Sequence, residues 1–152
     1  MKLVEKLDND FKLALKNRDA KKLSIFRLVR SNIKNLEISK QGEASDEDVI
    51  EILQREIKQH KESIEANKIA KRTEEVLRLE EENHLLETYL PEQISSDELK
   101  DVIEGAIAEI DLSDASDMGK IMGKVMPKVK GRATGDVVNQ MVRDLLQNNK
   151  NK

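Results

Sequence analysis

Apolar residues return at steps of three and four along nearly the whole chain, and this spacing constrains its fold more than any other feature. Leu3, Val4, Leu7, Phe11, Ala14 and Leu15 set the pattern at the start. Steps of three and four collect side chains on one face of a helix. Strand formers and turn residues are scarce to match: one Tyr, two Phe, no Trp, six Gly and two Pro in 152 residues. The expectation is an all-α protein of one ordinary or two small domains, with a modest core and no room for a large enzyme fold.

Composition removes several classes of function. With no cysteine there is no disulfide framework, thiolate metal site or cysteine nucleophile. No apolar run long enough for a signal peptide or a membrane helix occurs, so a reducing cytoplasm is expected, without membrane association. A formal charge of −3 argues against a wholly basic nucleic-acid binder, but a whole-chain sum can hide a local patch.

The helices divide the chain at Pro91. A first helix runs to about Arg18, and a second spans about Lys21 to Ser39, with Leu23, Phe26, Val29, Ile33 and Leu36 inward and Arg27, Arg30 and Lys34 towards its other side. Gly42 breaks the pattern. Ser45 with Asp46, Glu47 and Asp48 reads as an N-cap and acidic first turn. The helix it opens carries Ile50, Leu53, Ile57 and Ile64, and Val76, Leu79, Leu86 and Leu90 resume the seam, giving a long, solvated hairpin that ends at Pro91. Ser95 to Glu98 reads as a capping box, with Ser95 accepting from the third helical residue and Glu98 reaching back. Three short helices follow, and they must pack as a bundle because helices this short are marginal alone. The expected division is an N-terminal helical domain, 1–92, and a C-terminal three-helix domain, 93–152, whose end from Gln147 frays.

Chemistry concentrates between Met118 and Gly135, where no acid occurs and Lys120, Lys124, Lys128, Lys130 and Arg132 give five positive charges. Lys120, Lys124 and, if the helix continues, Lys128 are spaced by four and form a ridge; Gly119 and Gly123 fall on the opposite flank. Two helical glycines one turn apart suggest a close approach to the backbone, by a neighbouring helix or by a phosphate or ribose. Pro127 is expected to bend or end the helix, placing Lys128, Lys130, Gly131 and Arg132 on a loop. Lysine meets phosphate as a point charge and arginine can grip it with two donors, so this segment can follow a nucleic-acid backbone. Without aromatic stacking partners it favours the shape and phosphates of a folded RNA. A solvated basic face answering the acidic hairpin is an equal reading of the same charges.

No catalytic constellation appears. There is no activated nucleophile for glutamine hydrolysis, no phosphate-cradling glycine loop, and no cofactor motif. His60 and His84, lone in polar helices, read as surface residues with no metal role, and Glu80, Glu81 and Glu82 as a solvated run.

The whole chain resembles the YqeY family, whose C-terminal unit is shared with the tail of GatB, a subunit of the tRNA-dependent glutamine amidotransferase. The carriers are Tyr89-Leu90-Pro91-Glu92-Gln93-Ile94-Ser95, Asp117-Met118-Gly119-Lys120, Met126-Pro127-Lys128-Val129-Lys130-Gly131-Arg132-Ala133 and Val137-Val138-Asn139. Glu56-Ile57-Lys58 with Lys61-Glu62-Ser63-Ile64 resembles the family's N-terminal part. The resemblance implies a helical unit joined to a three-helix tail that engages the body of tRNA, with kinase and transamidation chemistry in other domains. Carried onto this chain, the tail's contacts fall on Gly119, Lys120, Lys124, Lys128, Lys130, Gly131 and Arg132; Gly123 joins them on spacing. Three functions follow as expectations: a non-catalytic tRNA- or structured-RNA-binding accessory protein, a helical protein-interaction module, or an accessory subunit of a glutamine-dependent carbon–nitrogen ligase. A protein of the amidotransferase or aminoacylation machinery is the expected protein partner, and no cofactor is expected.

Overall fold

The computed structural model describes residues 1–110 and 118–150, apart from the side chains of Asn149 and Lys150. Among the described residues there are seven α-helices and no strand, so the fold is all-α. The chain separates into two compact units, Met1–Leu90 and Pro91–Lys152.

The first unit contains α1 (Leu3–Lys16), α2 (Ala20–Lys40), α3 (Asp46–Ile69) and α4 (Thr73–Glu87). Leu7, Ile25, Phe26, Val29, Val49, Leu53 and Leu86 form its core, each 2% exposed or less. Ser45 opens α3 with a capping box: its Oγ accepts from the Asp48 amide at 3.1 Å, while Asp48 accepts from the Ser45 amide at 2.9 Å. α3 and α4 pair as a hairpin, and Ile64, Val76 and Leu79 form a small separate core near its turn. Three connections in this unit turn through left-handed residues that are not glycine: Arg18 (φ 53°), Gln41 (φ 55°) and Lys71 (φ 59°). After each, an amide reaches back five residues, from Asp19 to Ala14, Gly42 to Glu37, and Arg72 to Asn67. These bonds satisfy terminal carbonyls and hold the strained residue in place. The break expected at Gly42 is thus made one residue earlier, by Gln41.

α4 stops at Glu87, short of the expected end at Leu90, because the chain tightens there into three-residue turns from Thr88 to Leu90. The tightening drives Tyr89 into the core. Its ring meets Phe26 edge-on at 6.3 Å, and its hydroxyl donates to Asp10 of α1.

The second unit packs α5 (Ser96–Glu109), α6 (Met118–Val129) and α7 (Gly135–Lys150) around Leu99, Ile103, Ala106, Ile121, Val125, Val129, Val138 and Val142. Two expectations change here. Pro127 lies inside α6, which continues to Val129 because a proline near a helix end removes only one intrahelical bond. α7 runs through Lys150, past the fraying expected from Gln147. Asn151, Lys152 and the Asp117 of the family-like stretch lie outside the described residues.

Candidate nucleic-acid interface

α6 positions the basic ridge by burying its opposite side. Ile121, Val125 and Val129, spaced by four, are fully buried, which turns Lys120, Lys124 and Lys128 outward. Lys124 and Lys128 both reach one carboxylate, Glu109 at the end of α5, at 3.5 and 3.9 Å. All three side chains are about half exposed, a geometry that water and salt screen strongly. Lys120 and Lys130 also have partners within the chain. Gly119 and Gly123 are exposed, and a Cβ built on Gly123 would meet nothing within 4 Å. Among the described residues, no neighbouring helix uses the Gly123 backbone, which counts against close helix packing as the reason for a glycine at this position.

Lys128 belongs to α6 rather than to a loop, and Gly131 and Arg132 occupy places of another kind. Gly131 is buried with φ 80°, a left-handed conformation that suits glycine, and its carbonyl accepts from Gln93 Nε2 at 3.3 Å. Arg132 lays both terminal nitrogens on the Glu98 carboxylate at 3.1 Å and donates from Nε to the Glu92 carbonyl at 3.1 Å. Its own carbonyl accepts from the Ile94 amide at 2.9 Å. The paired hydrogen bonds from Arg132 hold the Glu98 carboxyl below its ordinary range and raise the guanidinium above its own. Arg132 is thus a clamp joining the α6–α7 turn to the start of α5. Glu98, expected to fold back onto the Ser95 backbone, is drawn to this stronger partner, while Ser95 Oγ still caps the Glu98 amide at 3.1 Å.

Two further regions carry polar chemistry. His60 is buried, contrary to the surface position expected of it. Nδ1 faces the Glu56 carbonyl at 2.9 Å and Nε2 faces the Glu82 carboxylate at 2.6 Å. Glu82, expected in a solvated run, is buried too, and its other oxygen accepts from Arg78 at 2.7 Å. The pattern was partly legible, since His60 lies three residues after Ile57 and four before Ile64, on the buried stripe. His84 is exposed. Among the described residues no three His, Asp or Glu converge as metal ligands, and no helix is long and apolar enough to cross a membrane. A cleft of about 440 Å³ between the start of α2 and α4 is lined by Lys21, Lys22, Arg78, Glu81 and Glu82. Its charges largely answer one another, with Lys21 on Glu81 at 3.6 Å and Arg78 on Glu82.

The second region is the stretch 11–36, which holds eight lysines and arginines and a single acid, Asp19. It is more basic than the tail segment. Its signal was present in the sequence, but the charges are spread over two helices and a turn and form no compact run.

These features sit in a chain whose relationships are visible over most of its length. None of the curated proteins compared with it matches. A family model described as Yqey-like protein matches residues 4–146, spanning both helical units and the turn between them that carries Tyr89 and Pro91. With nearly the whole chain inside that match, this protein belongs to the YqeY family.

Proposed function

We propose that the chain is an RNA-binding accessory protein without catalytic chemistry, whose second unit meets the phosphates of a tRNA or another structured RNA along α6. The observation that carries this reading is the exposed ridge of Lys120, Lys124 and Lys128, one helical turn apart, beside a Gly123 flank that no described residue occupies. Lysines at this spacing follow a line of phosphates, and a bare backbone beside them admits a ribose or phosphate oxygen. The resemblance of this unit to the GatB tail supports the same class of ligand and a place beside tRNA-dependent amidotransfer. Arg132 and Gly131 serve this site by shaping the turn after α6, with their own donors and backbone committed to the fold. Localisation in the cytoplasm belongs to the same proposal.

Bulk tRNA binding followed by fluorescence anisotropy across a salt series tests it. Three lysine contacts contribute about −3 to the log–log slope. The Lys124→Glu, Lys128→Glu double variant is expected to lose roughly tenfold or more in affinity with its helical content intact. Arg132→Glu is unsuited to this purpose because it opens the clamp on Glu98. Absence of binding at low salt, or a double variant that binds as tightly as the unmodified chain, overturns the reading; a tail that then binds only protein is an interaction module.

A further inference from the structure

Among the described residues, unanswered positive charge is most concentrated on the first unit. We infer that α1 and α2 together form a second face for the phosphate backbone of a nucleic acid, centred on Lys12, Arg27 and Lys34. The inference rests on the proposed function for the class of ligand and on nothing else in it.

Helix spacing and one cross-helix contact assemble the face. Arg27, Arg30 and Lys34 stand at i, i+3 and i+7 on α2 and share one flank. Arg30 crosses to α1, where its Nε donates to Asp8 at 3.1 Å and its guanidinium lies 4.1 Å over the Phe11 ring. Lys12 follows Phe11 and stands one turn beyond Asp8, on the flank that Arg30 touches. Arg30 therefore anchors the two helices and sets Lys12 against the α2 row of Arg27 and Lys34.

What separates this face from the tail is the absence of internal partners. In the basic segment of the second unit, Lys120, Lys124, Lys128, Lys130 and Arg132 meet Glu109, Glu98 or other groups of the chain. Lys12, Arg27 and Lys34 are exposed and form no ion pair or hydrogen bond through their side chains with any described residue. Uncompensated like charges repel one another and weaken the compact state, so their concentration here, in a chain of net charge −3, calls for an anion from outside. The chemistry of the face favours nucleic acid. Ser24, Ser31 and Asn35 are exposed between the cations on α2 and supply the neutral donors that phosphate and sugar oxygens take. The exposed large apolar side chains of the two helices are Leu13 and Leu15 on α1 and Leu28 and Ile38 on α2, scattered among charges rather than ranged as the broad apolar face that a helix needs to enter a lipid surface.

The test uses the full chain in three forms: unmodified, the Lys12→Gln, Arg27→Gln, Lys34→Gln triple variant, and the Lys124→Glu, Lys128→Glu variant of α6. Bulk tRNA is titrated against each by anisotropy over a salt series, with circular dichroism confirming the helices. The triple variant is expected to bind at least about tenfold more weakly at low salt and to shift the slope by about 3 towards zero, one for each phosphate that is no longer neutralised. A triple variant with the affinity and slope of the unmodified chain overturns the inference even where the α6 variant binds poorly, leaving the tail as the RNA site. The converse result, an effect of the α1–α2 variant alone, supports this face and removes the tail reading. A chain that ignores tRNA but binds a polyglutamate peptide or phosphatidylserine vesicles overturns the inference in favour of an acidic protein or a lipid surface.

Discussion

His60 shows how much one buried contact can carry. Its ring joins α3 to α4 through the Glu82 carboxylate at 2.6 Å, and Arg78 holds the other oxygen of that carboxylate. Removing one partner of a buried hydrogen bond leaves the other polar group unsatisfied and costs about 2 kcal/mol, so Glu82→Gln or His60→Ala should lower the urea midpoint accordingly. A change below about 1 kcal/mol shows the network to be worth little, as isolated surface pairs are. Tyr89 offers a second reading at the same scale, since it is the chain's single tyrosine. Burial first, then its hydrogen bond to Asp10, raises the phenol well above its ordinary value of 10.0. The neutral phenol therefore stabilises the fold fully below that ordinary value, and the contribution is lost as pH climbs through the raised one. In an alkaline titration followed by phenolate absorbance, the folded protein should show little ionisation where the urea-unfolded chain is half ionised; coincident curves refute it. Both residues escape a sequence reading in part. A histidine on an apolar stripe is visible, but the carboxylate that meets it is 22 positions away.

Arg132 belongs to the scale of elements, because it ties the turn after α6 to the first turn of α5. Neither Ala nor Lys reproduces a planar fork with two parallel bonds and a third to a carbonyl. Both substitutions should lower the melting temperature by a few degrees, with Ala the larger effect, and calorimetry measures it. The pH sign follows from Glu98, whose folded carboxyl lies below its ordinary value of 4.5. The clamp's contribution is present above that ordinary value and fades as pH falls through the lowered one, so the difference between unmodified and Arg132→Ala chains should shrink in acid. Equal differences at neutral and acid pH refute the assignment. The capping residues Ser45 and Ser95 were legible in advance because a cap is a local arrangement between residues three apart. The partner of Glu98 was not, being 34 residues distant.

At the scale of the whole molecule the decisive quantity is where charge goes unanswered. A chain with sequence pI near 5.6 should still be retained on a heparin column at neutral pH if its positive face on α1 and α2 is open. Retention that disappears with Lys12, Arg27 and Lys34 neutralised supports the assignment, and elution with the unbound fraction refutes it. Helix number, the approximate helix spans and the outward ridge of α6 follow from spacing and caps. Each of these rests on interactions within a few residues, which sequence records directly. Whether a charge is free, clamped or buried depends on residues brought together from afar, as Glu98 is to Arg132 and Glu82 to His60. A linear series of lysines and arginines therefore marks where anions can bind, while the packed helices assign some of those cations to the fold and leave others to a partner, because electrostatic pairing is settled over a few ångströms of space rather than a few positions of chain.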